Sequence, residues 1–154
     1  MRRTGPGDLA VPFLLIGITM YVLLRFSYSS YPSLQYFVPV PLVALAVAEF
    51  IAARRVRAAV RHDPHARPMA AIVIARCVAL GKASSLVCAG VAGAATALLV
   101  RVAPNAGTVK AATHDARVAA LLLGAALLLL AAGLLLERAG VDPGSRDGDK
   151  ASRA

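Results

Sequence analysis

Few side chains in the apolar runs of this chain could do chemistry. Glu49 sits in "FVPVPLVALAVAEFIAA" (37–53), and Arg76 and Lys82 sit in "ARCVALGKASSLVCAG" (75–90). A carboxylate and an ammonium inside apolar segments have two uses. They pair and clamp helices together, or they relay protons. The depths match. Glu49 lies ~7.5 Å from Arg54 and Lys82 ~9 Å from Arg76, at ~1.5 Å per helical residue. Glu49 has only Ala52 and Ala53 at the positions where its own helix could supply a cation. An unpaired carboxylate at that depth costs several kcal/mol or takes up a proton. The expectation is therefore a structural charge clamp from Glu49 to Lys82 or Arg76, with Glu137 as a rival acid.

Other candidate chemistry is thinner. Lys82 and Ser85, at i and i+3, resemble a Ser–Lys dyad, but a nucleophile also needs an oriented base and an oxyanion site. The chain has no H-E-x-x-H and no G-x-S-x-G. No catalytic residue, no cofactor and no metal site is expected, and the protein is read as a non-enzyme. His62 and His65 in "HDPHARP" have no third ligand nearby. Cys77 and Cys88 fall ~16 Å apart on one helix, too far for a disulfide. They read as small packing residues.

The elements that position these groups are long apolar blocks. The chain of 154 residues is 58% hydrophobic, with a mean hydropathy of +0.68. A soluble domain of this size has too little interior to hide so much apolar surface. An all-α integral membrane bundle of four transmembrane helices is expected. A polar lead (1–8) precedes a membrane domain (9–138) with spans near 9–28, 37–53, 76–100 and 116–136. A charged tail (139–154) reads as disordered. The first span reads as an uncleaved anchor, capped by Asp8. Six of the aromatics fall between Tyr21 and Phe37 and read as an interfacial belt.

The net charge of +9 belongs to topology and anionic lipid, not to nucleic acid, because the cations flank apolar blocks. Arg54, Arg55, Arg57, Arg61 and Arg67 form one basic loop that presents a face to anionic lipid headgroups. With four spans, thirteen of the 17 Lys and Arg residues share the side of the termini. That side is then the cytoplasm of a multi-pass cell-membrane protein.

The third block, 69–100, would run ~48 Å as one helix against a hydrocarbon core of ~30 Å. It must tilt or project into the cytoplasm. Lys82 is then either an anchor at the inner rim, snorkelling beside Arg76, or buried. Along this block Cys77, Gly81, Ser85, Ala89, Gly93 and Ala97 recur every four residues, a ladder that admits a close helix neighbour. A weaker ladder, Ala116, Ala120 and Gly124, is the expected counterpart on the fourth block.

At "RVRAAVRHDPHARP" followed by "ARCVALGKASSLV" the chain resembles the small actinobacterial membrane proteins of the domain of unknown function 3180 family. Arg57, Arg61, Arg67 and Pro68 carry the likeness, with Ala75, Arg76, Ala79, Leu80, Lys82, Ala83 and Ser84. Gly81 stands where the family pattern has alanine. The resemblance covers about 8–138. It implies a four-span inner-membrane protein, often encoded near folate-biosynthesis genes, and no known activity. The functional expectation is an accessory or scaffold protein for a protein partner. The alternative is a subunit of a small oligomeric transporter or channel.

The topology has a direct test. Reporter fusions after Arg61 and after Lys150 should read as cytoplasmic and one after Gly107 as external. An external signal at either of the first two sites would exclude four spans.

Overall fold

The computed structural model describes residues 5–27, 35–61, 69–105, 107 and 109–140. Tyr28, Tyr31, His62, His65, Arg67 and most of the polar tail, all part of the sequence expectations, lie outside the described residues. Four helices follow one another: α1 (Pro6–Ser27), α2 (Val40–Val60), α3 (Ala71–Val102) and α4 (Lys110–Ala139). The described residues contain no strand.

Helix α1 begins earlier than Asp8. Pro6 takes the first helical position, where its missing N–H costs nothing. The Asp8 carboxylate reaches back to accept the Gly5 N–H at 2.9 Å, the acidic half of a capping box. Helix α3 has 32 residues and ends in a 3-10 turn over Ala103–Asn105. Gly107 then turns the chain at φ 108°, a backbone region open to glycine. Its N–H donates to Thr113 Oγ1 at 3.0 Å, which fixes the hairpin between α3 and α4.

The helices lie in a row, α1–α3–α4–α2. Helix α3 packs on α1 and α4, α4 packs on α2, and α2 meets α3 at only a few points. A closed bundle would also need α1 against α2, and the described residues make no such contact. Three buried clusters fix the helix directions. At the hairpin end, Leu24 of α1 joins Leu98, Val102, Ala112 and Ala119. Ala46, Cys88, Leu129 and Ala132 pack midway. At the far end, Ala53 and Val56 of α2 join Leu136 and Ala139 of α4, with Ile74 and Cys77 of α3 against them. Helices α1 and α3 therefore run one way, α2 and α4 the other.

Gly81, Ser85, Ala89, Gly93 and Ala97 are all buried, yet they serve two different neighbours. A Cβ on Gly81 would stand 2.6 Å from the Gly133 carbonyl oxygen of α4, and one on Gly133 would stand 2.7 Å from the Gly81 oxygen. A Cβ on Gly93 would instead strike the Phe13 backbone of α1. The reason is geometric. A step of four residues overshoots the helical turn by ~40°, so a ladder twelve residues long winds ~120° around α3, from the α4 side to the α1 side. Of the expected counterpart on α4, only Ala116 packs against the cluster that holds Leu98 and Val102 of α3. Ala120 and Gly124 are exposed, and a Cβ on Gly124 would meet nothing within 4 Å. The α4 residue at the crossing is Gly133.

Three helices, α1, α3 and α4, are long and apolar enough to cross a membrane. Helix α2 falls short of that measure because Arg54, Arg55 and Arg57 occupy its C-terminal turns. Its apolar part, Val40–Ala53, is ~21 Å long, against a core of ~30 Å. Phe37–Pro39, expected inside the span, forms turns instead, with Val40 N–H bonded to the Phe37 carbonyl at 3.1 Å.

The crossing predicts unequal glycines. Gly81→Ala or Gly133→Ala should cost ~1–3 kcal/mol through overpacking, read by denaturation in detergent. Gly124→Ala should be neutral or gain ~0.5–1 kcal/mol. Equal responses would mean that the two backbones do not touch.

Candidate functional site

The Gly81–Gly133 crossing brings the Lys82 turn of α3 against the Leu136–Glu137 turn of α4. It also leaves a pocket for one side chain from α2, and Glu49 fills it. Glu49 is 1% exposed, and its Oε2 lies where a Cβ on Gly133 would be 3.3 Å away. Neither carboxylate oxygen accepts a hydrogen bond of good geometry among the described residues. The Ser84 hydroxyl comes close without completing one. Ser85, fully buried, donates its hydroxyl to the Lys82 carbonyl at 2.9 Å.

The expected clamp residues differ in burial. Glu49 faces the helix junction, Lys82 is half-buried and Arg76 is exposed. The Glu49 oxygens accept no hydrogen bond from either cation. Glu137 is buried on α4, beside the same crossing. Cys77 and Cys88 are free thiols. No group of metal-ligating side chains assembles among the described residues.

The basic face is more organised than its sequence suggested. Arg54, Arg57 and Arg61 of α2 and Arg138 of α4 line one cavity of ≈510 Å³, with Phe50, Ala53, Val60, Leu135 and Ala139. That size suits a small ligand or a headgroup. Among the described residues no Asp or Glu lines it; Glu49 and Glu137 are buried elsewhere in the packing. The Arg54 guanidinium rests 4.7 Å from the centre of the Phe50 ring, a cation–π contact that limits its freedom. Arg55 is exposed and does not line the cavity.

Part of this positive charge serves the helices themselves. Both α2 and α4 end here, and each C-terminus carries about half a negative charge. Two termini offset about one of four guanidinium charges, so a net cationic cavity remains. Arg138 is the residue that the sequence did not reveal. It counted there only toward topology. Because α2 and α4 run parallel with their ends level, the last turn of α4 supplies the fourth arginine.

Glu49 has a sharp mutational expectation. Replacing it by Gln removes a desolvated charge and leaves no hydrogen-bond partner orphaned, so stability should hold or rise. A loss above ~2 kcal/mol, the penalty for breaking a charged hydrogen bond, would show that the carboxylate holds a partner.

Comparison with known proteins adds one finding. No curated protein and no solved structure matches the chain. The profile of one family, described as "Protein of unknown function (DUF3180)", matches residues 9–143. With that match over most of its length, the chain belongs to the DUF3180 family.

Proposed function

We propose that this is a multi-pass protein of the cell membrane that spans it four times, has both termini in the cytoplasm, and acts without catalysis. Its work is that of an accessory protein that holds a phosphate-bearing anion at the arginine cavity. One observation carries this reading: four arginines from the ends of two helices converge on a single cavity with no acidic lining among the described residues. Guanidinium forks suit phosphate oxygens better than they suit a generic solvated face. The alternating helix directions suit a four-span path. The turns at Gln35–Pro39 and the snorkelling reach of Arg54 would lengthen α2 toward a full crossing. The side that carries the cavity would be the cytoplasmic one, by its excess of Lys and Arg. There the N-terminal half of α3, which continues past the start of α1, projects toward the headgroups. The same cavity could serve a protein partner that presents phosphate, which keeps the scaffold role within this reading.

Titration of the detergent-solubilised protein with glycerol 3-phosphate tests it. Binding should weaken with salt and fall at least tenfold in a double variant, Arg57→Gln with Arg138→Gln. Arg55→Gln should bind as the parent does. Equal binding by all three proteins would remove the assignment.

A second reading, a subunit of a small oligomeric transporter, draws on Glu49. A buried carboxylate without a hydrogen bond, in a membrane segment, marks a candidate ion or proton path. Proteoliposome flux that Glu49→Gln abolishes while folding persists would favour it.

A further inference from the structure

The arginine cavity does not stand alone on its face of the molecule. A second hollow, of ≈630 Å³, opens between the same two helices nearer the hairpin end. Its floor is small and its walls are apolar: Val40, Val43 and Ala44 of α2 face Leu121, Gly124 and Leu128 of α4. The two hollows are in register. On α4 the stripe 121, 124, 128, 131, 135, 138 advances by alternating steps of three and four, so it keeps to one face. On α2 the stripe 43, 47, 50, 54, 57 does the same. Between the hollows lie Val47, 54% exposed, and Ala131, also exposed, next to Leu128 at the edge of the second hollow. Neither α1 nor α3 covers this side, because the row of helices places α2 and α4 at one edge. The result is one groove, cationic at the end that holds Arg54, Arg57, Arg61 and Arg138, and apolar along its length. From Leu135 to Gly124 it runs ~16 Å, about the ~15 Å of one leaflet's hydrocarbon.

We infer that the α2–α4 groove binds an anionic phospholipid, its phosphate in the arginine cavity and one acyl chain laid along Leu135, Leu128 and Gly124. This rests on the proposed anion site and deepens it, since it names the source of the phosphate. A free phosphate or a phosphorylated peptide would use the arginines and leave the groove unused. A membrane lipid brings charge and chain together at the spacing the groove offers, and the matched charge distinguishes it from lipids that coat any apolar helix. Gly124 is the most informative position. A Cβ there would meet no protein atom within 4 Å, so a larger side chain has open space to enter and would compete with a chain lying in the groove.

The experiment compares two probes on the purified protein in non-ionic detergent: dioleoyl phosphatidylglycerol and glycerol 3-phosphate, with dioleoyl phosphatidylcholine as the control of zero net charge. Binding is read by native mass spectrometry and by thermal shift. The anionic lipid should bind at least tenfold tighter than the control. Gly124→Leu and, as a second variant, Ala120→Leu should weaken the lipid at least tenfold and leave glycerol 3-phosphate unchanged. Arg57→Gln with Arg138→Gln should weaken both probes. If the groove variants bind the lipid as the parent does while the arginine variant loses both probes, the anion site stands and the groove inference is overturned. If the lipid binds without preference over the control, the groove is an ordinary lipid-facing surface and the inference likewise fails. If neither probe responds to the arginine variant, the anion site falls with it.

Discussion

The contact between the backbones of Gly81 and Gly133 sets the spacing of everything at the arginine end. Two helices whose carbonyl oxygens would stand within 3 Å of a neighbouring Cβ leave no room for ordinary side chains between them. Lipid offers such helices no hydrophobic reward for association, so the gain comes from dispersion and from weak polar contacts at short range. That gain disappears if the axes separate by one methyl group. The close crossing also decides what happens beside it. It holds Ser85 against its own helix backbone and shapes the recess that Glu49 enters from α2.

The arginine cavity follows from the same geometry. With α3 and α4 fixed, α2 packs along α4 in parallel, and their C-terminal ends come level. Parallel neighbours gather like ends, and basic residues gather at helix C-termini because the dipole favours them there. A cationic hollow is therefore a natural product of two parallel helices that both carry arginine in their last turns. Two acids carried on the same helices, Glu49 and Glu137, are buried in the packing, and neither lines the hollow.

Much of this was legible in the residues, and the failures have physical causes. The four apolar blocks mark four helices, and the third block forms one continuous helix of 32 residues. The small-residue ladder on α3 marks buried positions, since a missing side chain on an apolar helix has few other uses. The partner of each rung was not legible. A four-residue repeat drifts around the axis, so a single stripe in the sequence becomes two interfaces in space. The ladder on α4 misled for another reason. In an alanine-rich helix small residues occur on every side, and only the crossing point distinguishes Gly133 from Gly124. Arg138 could not be joined to Arg54, Arg57 and Arg61, because nothing local in the sequence states which helix ends lie level.

The order of helices in the row differs from their order in the chain, and synthesis has to live with that. Helices α1 and α2 leave the ribosome first, yet they have no surface for each other in the finished fold. Each must wait for a different half of the α3–α4 hairpin, which is made after both. Helix α1 is settled only when Gly90 and Gly93 arrive, and α2 only when Gly133 and Leu136 follow. Helices α1 and α2 are thus unmatched segments until α4, the last of the four to be translated, completes their packing.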